Sequence, residues 1–410
     1  MGKLPTSTTE EFREQLLNPN RSYAITSVDD KPGEIAKVQK NIVLSYASDS
    51  TGCGHIRCVF PMTYLNSLFG KSKRFNIMIA PNNTMILQND ILLRTRSIFF
   101  QRTMSPNQID LVKQYKSLQP KYAYMMKFDI DDFIWKGTEE GECIPEYNFG
   151  SGGITDDVRN AAIEIMNLMD LVCVSTDFLG EYIKSKGVKT KIITIPNTVP
   201  QYFWGNQKRK PIKEKIIKPK VIYSGSPTHY SNEKRLAGDW DNAWLEWILR
   251  NVKNNKIEFF CMGGLPFFFE EIKNKIKIIQ WVNSYQYHLP IKNFRPDFGI
   301  APLVPNFFNY SKSDLRAIEY YSVGALCIGS VFDTVKSPKC WNKEHAPSPY
   351  DNIFLKLQHN CSVKDIDELF WKYTEPDYFN DILAKQYKFL YDNSRYLESE
   401  KSVKRYTDIL

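Results

Sequence analysis

Short apolar runs recur along the chain, separated by amphipathic or polar segments. "NIVLSYA" (41–47), "FNIMIAP" (75–81), "SIFFQR" (97–102), "YMMKFDIDD" (124–132), "LVCVST" (171–176) and "KIITIPN" (191–197) are too short for buried helices. Their length, with their β-branched and aromatic content, predicts buried strands. Between them, "GCGHIRCVFPMTYLNSLF" (52–69), "SPNQIDLVKQYKSL" (105–118), "DDVRNAAIEIMNLMD" (156–170) and "DFLGEYIKSKG" (177–187) place apolar residues at helical spacing. Alternation of this kind predicts βαβ units and a mostly parallel sheet.

The pattern breaks at "QYFWGNQKRKPIKEKIIK" (201–218), a basic stretch with Pro and Gly. It then restarts with strands expected in "KVIYSGSP" (220–227), "IEFFCMGG" (257–264), "IKIIQWV" (276–282), "FGIAPLV" (298–304) and "ALCIGS" (325–330), and a helix in "AGDWDNAWLEWILRNV" (237–252). Two or more helices close the chain. The expected organisation is an α/β protein with two Rossmann-like, doubly wound domains facing a central crevice. Residues 1–200 form the first domain, 201–218 a linker and 219–384 the second domain, with a helix at about 385–410 packing back on the first. A ligand is expected in the crevice, beside strand C-termini and helix N-termini. The polar residues 1–40 resist assignment.

Length and composition agree with two domains. The chain has 410 residues, too many for one ordinary core, with 42% apolar and 24% charged residues. Aromatic residues reach 14%, which suits both core and stacking. Eight cysteines occur singly, without metal-ligand spacing, and several sit inside apolar strands. They read as buried reduced thiols of a reducing compartment. No apolar run is long enough to span a bilayer and no signal-peptide core opens the chain. The expected location is therefore the cytoplasm. A net charge of +8 is compatible with nucleic acid, an anionic surface or a phosphorylated ligand.

The chemistry concentrates in "YSKSDLRAIEYYSVGALCIGS" (310–330). A helix starting near Ser311 to Ser313 would present unpaired amides and a partial positive charge, and Lys312 would add a full one, a setting for a phosphate or diphosphate. Glu319 follows seven residues later, about two turns on, where a carboxylate can accept two hydrogen bonds from a vicinal diol such as ribose. The plain alternative is a solvated Lys312 and a Glu319 paired with Arg316. A second cluster, "DIDD" (129–132), can ligate a divalent metal bridging to a diphosphate, orient an acceptor hydroxyl, or simply cap the next segment.

"KSDLRAIEYYSVGALCIGS" resembles the nucleotide-sugar motif of retaining GT-B glycosyltransferases of the family-4-like branch. "GCGHIRCVFPMTYLN" resembles that branch's first Gly-rich loop, "MKFDIDDFIW" its acidic strand end, and "VIYSGSPTHYSNEKRLAG" the opening of its donor domain. The resemblance covers roughly residues 41–330. It departs where the branch has a first Glu, because Ser311 stands there, which leaves the identity of the sugar open.

What the resemblance implies is a UDP-sugar donor, no prosthetic group and no required metal. Lys312 and the amides of Ser313 and Asp314 would hold the diphosphate, and Glu319 the ribose. Gly225, Ser226 and Thr228 would line the phosphate side, with His229 as a further donor and Lys234 or Arg235 as a second cation. Trp281 and Val282 would flank the base, and Gly52, Gly54 and Arg57 would close over the sugar. Asp129 and Asp131 or Asp132 would orient the acceptor. Fixed cations would stabilise the departing diphosphate, which is usually the largest catalytic term.

For the acceptor, Lys208, Arg209 and Lys210 in the linker and Arg102 in the first domain are the expected contacts to double-stranded DNA. The chain looks like tailed-phage enzymes that glycosylate 5-hydroxymethylcytosine. A bacterial enzyme of lipopolysaccharide or capsule synthesis is the alternative. A non-catalytic protein that binds nucleotide-sugar or DNA is an alternative of another class.

Overall fold

A computed structural model describes residues 40–49, 52–69, 76–81, 86–133, 144–148, 155–205, 208–280 and 282–410. Two six-stranded, wholly parallel sheets carry the chain. The first holds β1 (Ile42–Ala47), β2 (Asn76–Pro81), β3 (Thr95–Gln101), β4 (Met125–Ile130), β5 (Leu171–Val174) and β6 (Ile192–Thr194), in the order β2-β1-β3-β4-β5-β6. The second holds β7 (Lys220–Ser224), β8 (Glu258–Met262), β9 (Lys277–Ile279), β10 (Phe298–Ala301), β11 (Leu326–Val331) and β12 (Leu355–Gln358), in the order β12-β11-β10-β7-β8-β9.

Both sheets are covered on their two faces, which is why the central strands read as unbroken apolar runs. Every residue of β1, β5, β10 and β11 is buried. Helices behave as their signals predict. Pro106–Tyr122 opens on a Ser105/Gln108 capping box, and Asp177–Ser185 is capped by Thr176. One strand was not marked by the apolar pattern. In β12, Lys356 is exposed and Gln358 half-buried, so this edge strand lacks a continuous run.

The helix after β1 begins at Gly52 itself and continues to Phe69 through a π-type turn at His55–Val59. Gly54 is required there: a Cβ would fall 1.9 Å from the Asp49 carbonyl oxygen. The seven described cysteines are all free thiols, and Cys58, Cys173, Cys261 and Cys327 are buried.

Residues following the strand ends of the two sheets meet. Thr176, after β5, donates to the Ser311 carbonyl (3.1 Å), and Asn197, after β6, donates to Ser313 Oγ (2.8 Å). The linker instead runs along the opposite end of the second sheet. Arg209 donates to the Pro296 carbonyl (2.9 Å) and pairs with Asp297, just before β10. Lys208 lies over the Tyr387 and Tyr391 rings, Lys215 pairs with Glu375, and Lys210 is exposed.

Helices close the chain as expected, and residues 385–410 are shared between two of them. Pro376–Asp392 packs on the second sheet's helix Leu315–Ser322, whereas Glu400–Ile409 packs on the first domain, where Ser97 donates to the Leu410 carbonyl (3.1 Å). The chain crosses back next to its outward crossing: Val199 N–H donates to the Arg395 carbonyl and Leu397 N–H to the Val199 carbonyl, both at 3.0 Å.

Candidate active site

Lys312 does not sit inside a helix. A short helix, Phe307–Tyr310, ends just before it, and the next, Leu315–Ser322, starts three residues after it with Asp314 at the N-cap. The seven-residue spacing to Glu319 is therefore not two helical turns. The turn holding Lys312 is fixed by its neighbours. Asp314 pairs with Arg395 (2.6 Å), and Ser311 Oγ donates to the Phe308 carbonyl (2.9 Å). Lys312 Nζ lies 4.1 Å from the Phe308 ring centroid and 3.8 Å from Asp132 Oδ1 of the first domain. This contact spans the crevice.

Across it, Arg102 holds the acidic cluster. Its Nε donates to Asp131 Oδ1 (2.9 Å) and its Nη2 to Asp132 Oδ2 (2.8 Å). Burial alone would push the Asp132 pKa up, but Lys312 and Arg102 outweigh it and hold the carboxyl down to about 2. Arg102 is thus committed inside the crevice and is not an exposed contact for a duplex. Cys53 Sγ and the Asp131 and Asp132 carboxylates are close enough to share a cation, but the Arg102 guanidinium already serves those carboxylates.

Arg57 and Asp129 form a different unit. Both are 1% exposed, and Arg57 grips both Asp129 oxygens while its Nη1 donates to the Ile195 carbonyl and to Asn197 Oδ1 (3.0 Å). Arg57 and Asp129 are each engaged by the other, so neither is free for the expected closure over a sugar or the expected orienting of an acceptor. Through Asn197 this pair nonetheless props Ser313, beside Lys312.

On the second domain, β7 ends in the turn Gly225 to Thr228. Gly225 N–H donates to the Met262 carbonyl (2.9 Å), and Ser226 and Thr228 share a hydroxyl hydrogen bond (2.7 Å). Gly263, with φ of 104°, lets the next strand end approach, since a Cβ there would lie 2.3 Å from the Gly225 oxygen. His229, which follows this turn, is buried and not a surface residue. Its Nδ1 meets Asp239 Oδ2 at 2.6 Å and its Nε2 meets Arg316 Nη2 at 2.8 Å. A guanidinium only donates, so Nε2 accepts and Nδ1 carries the proton. Burial, reinforced by Arg316 and Lys312, pushes the imidazole pKa down to about 4. His229 is therefore neutral, with both nitrogens engaged, and not free to donate to a ligand.

Arg316 was missed as a site residue. Glu319, one turn further along its helix, is 7% exposed and makes no hydrogen bond or ion pair within 4 Å among the described residues. Burial pushes its pKa up to about 8, although Arg316 pulls the other way. The expected alternative, a Glu319–Arg316 pair, does not form, because Arg316 turns to His229.

Other expected residues are scattered. Lys234 is exposed and donates to the Glu146 carbonyl (3.3 Å), and Arg235 stacks on Phe267 at 4.8 Å. Neither contact leads to Lys312. Trp281 lies outside the described residues. Val282 lines a groove of about 720 Å³ at the β9 edge with Phe260, Ile279, Gln286, Leu289 and Phe294, a groove that holds none of Lys312, Glu319 and Arg316. Gly52 begins its helix, and a Cβ there would meet no atom within 4 Å among the described residues.

Two parallel six-stranded sheets meeting at their strand ends, with cations and acids gathered between them, define the GT-B architecture. One comparison agrees. The fold is similar to that of Anabaena Alr3699/HepE in complex with UDP-glucose, at 8% identity over 90% of this chain and 100% of that one, with a TM-score of 0.50. Weaker likenesses include alpha,alpha-trehalose 6-phosphate synthase from Burkholderia multivorans (8% identity, 90% and 97% covered, TM-score 0.47). Another is MurG from Acinetobacter baumannii (11% identity, 90% and 98% covered, TM-score 0.39). No protein-family model and no curated protein matches the chain. Among the described residues no helix is long and apolar enough to cross a membrane.

Proposed function

We propose that the chain is a glycosyltransferase that moves a sugar from a nucleotide-sugar, with UDP-sugars the first donors to try. The observation that carries this reading is the arrangement around the Lys312 turn on a GT-B frame. A cation stands at the crevice, and Glu319, a buried carboxyl that makes no hydrogen bond or ion pair among the described residues, stands in the helix just beyond. Lys312 and the backbone of Ser313 and Asp314 would meet the diphosphate, the Gly225 to Thr228 turn would flank it, and Glu319 would take the ribose diol. The neighbour solved with UDP-glucose is consistent with such a donor.

We read the transfer as retaining and independent of metal. Asp131 and Asp132 are paired with Arg102, and Glu319 is protonated at neutral pH, so none of these carboxyls is a free base. The bond from the sugar carbon to the diphosphate oxygen breaks, the acceptor oxygen bonds to that carbon on the same face, and the acceptor proton passes to the departing phosphate. Positive groups stabilise the charge that develops on the leaving group.

Hydroxymethylated DNA remains the first acceptor to test, on the net charge of +8. The specific residues expected to hold it give little support: Arg102 and Arg209 are paired, and the linker lies at the end of the second sheet away from the crevice. One assay separates the readings. The protein is incubated with a panel of sugar nucleotides and hydroxymethylated DNA, unmodified DNA or a lipid-linked glycan, and the products are weighed. A hexose or pentose gain on the modified nucleoside supports DNA, and a gain on the glycan transfers the reading to envelope synthesis. No transfer, with no hydrolysis of any sugar nucleotide, overturns the enzymatic reading.

A further inference from the structure

The Lys312 turn belongs to the second domain, yet one of the side chains that fix it comes from the first. Pro145 to Asn148 lie in the connection from β4 to the Asp156–Leu168 helix, and Asn148 N–H donates to the Pro145 carbonyl (2.9 Å). That bond closes a turn with Tyr147 near its tip. The Tyr147 side chain is buried, with its hydroxyl against the second domain. Resting on the nucleotide-sugar reading, we infer that Tyr147 is a positioning residue for that site: its hydroxyl holds the short helix from which Lys312 emerges, so the donor turn keeps its shape only while the two halves are engaged.

The capacity of the hydroxyl carries this first. A phenol has one proton to give and two lone pairs, and Tyr147 spends all three on the second domain. It donates to Asp239 Oδ1 (2.6 Å) and accepts from Asn306 Nδ2 (3.1 Å) and Asn309 Nδ2 (3.4 Å). Burial and the Asp239 carboxyl push the phenol pKa up, so the donated proton stays on the Tyr147 oxygen.

The two asparagines carry it further. Asn306 is the N-cap of the Phe307–Tyr310 helix, where its Oδ1 accepts from the Asn309 N–H (2.8 Å). Asn309 Nδ2 also donates to Asp239 Oδ1 (2.5 Å) and to the Val304 carbonyl (2.8 Å), and the Asn309 carbonyl accepts from the Lys312 N–H (3.3 Å). One oxygen thus braces the cap of a single-turn helix and, through Asn309, its exit. A helix this short has little stability of its own, so its shape depends on such outside bonds. Asp239 is itself steadied by His229 on its other oxygen. Tyr147, Asp239 and Asn309 are all buried, so water does not simply replace a lost bond.

Hydrogen exchange read by mass spectrometry on the full chain, without ligand, tests this in Tyr147→Phe, with Tyr124→Phe as control. Each substitution keeps the ring and removes one buried hydroxyl, and that of Tyr124 donates to the Tyr115 carbonyl inside the first domain. Thermal melts confirm that both variants are folded. The expected result is exchange about 10-fold faster over residues 309–312 in Tyr147→Phe and parent-like exchange there in Tyr124→Phe. Parent-like exchange over 309–312 in Tyr147→Phe, or equal acceleration in both variants, overturns the inference whether or not the protein is an enzyme. Turnover of a sugar nucleotide then separates positioning from general support. Tyr147→Phe should lower it about 10-fold in the parent background and no further in Lys312→Ala, because the effect passes through Lys312. Losses that add in the double variant overturn the inference. A parent that turns over no sugar nucleotide overturns the nucleotide-sugar reading instead, and the exchange result alone then decides whether Tyr147 holds the turn.

Discussion

Each domain buries an acid near an arginine, and the two sites treat their charges in opposite ways. In the first, Arg57 chelates Asp129 and spends its remaining donors on Ile195 and Asn197. In the second, Arg316 donates to a neutral imidazole rather than to Glu319 and leaves Nη1 without a hydrogen-bond partner, while Glu319 makes no hydrogen bond or ion pair among the described residues. Both acids are buried, Asp129 at 1% and Glu319 at 7% exposure, so burial of the acid alone does not separate a structural charge from a working one. The number of hydrogen bonds left open does.

The largest effect expected of this contrast is on folding. Arg57→Ala strands the Asp129 charge and should cost about 3–5 kcal/mol in denaturant unfolding. An unfolding midpoint equal to the parent's would erase the distinction. Next, Lys312→Ala should lower turnover by about 100- to 1,000-fold with the midpoint preserved, and full activity in this variant would remove the diphosphate from the Lys312 turn.

Glu319→Gln should act in two directions. With its pKa near 8 in the fold and 4.5 as the ordinary value, Glu319 is protonated in the native state and ionised in the unfolded chain between those values. The unfolded state then binds fewer protons, so the parent's stability falls as pH rises through that window and stays low above it. The variant escapes this penalty, and its melting temperature should exceed the parent's by a few degrees, about 2–4 °C, with the gap wider at pH 8.5 than at pH 5. Nucleoside affinity should drop in the variant. In the parent it should climb towards pH 8, because the diol is best met by the carboxylate, and a flat profile would remove Glu319 from the ribose. The smallest effect is that of a chelator: EDTA should leave transfer unaltered, since Arg102 already neutralises Asp131 and Asp132. Loss of activity restored by Mg²⁺ or Mn²⁺ would promote the acidic cluster to a metal site.

Much of the frame was legible in the sequence. Eleven strands follow from apolar runs such as "NIVLSYA" and "ALCIGS", because a parallel sheet covered on both faces demands such runs. β12 escaped because an edge strand can keep Lys356 in solvent. The site was legible in part. Lys312 and Glu319 stand out by type, but Arg316 depends on His229, 87 residues earlier, and Arg57 on Asp129, 72 residues later. Periodicity sees neighbours along a helix and not partners brought in by another strand. "SPTHYSN" reads as a polar surface turn, and only the fold closes Asp239 and Arg316 around its histidine. A usable clue did exist: Glu319 stands on a face of "LRAIEYYS" otherwise suited to the core.

The paired crossings at Val199 and Leu397 have a mechanical consequence. Two strands of chain, bonded side by side, join the halves of the molecule where one would suffice. Such a double strap resists twisting and sideways slip far more than bending, so the halves should swing about one axis, as a door on two pins does. A substrate would then be admitted along one path, with Lys312 and Asp132 parting and meeting again in the same register on every cycle.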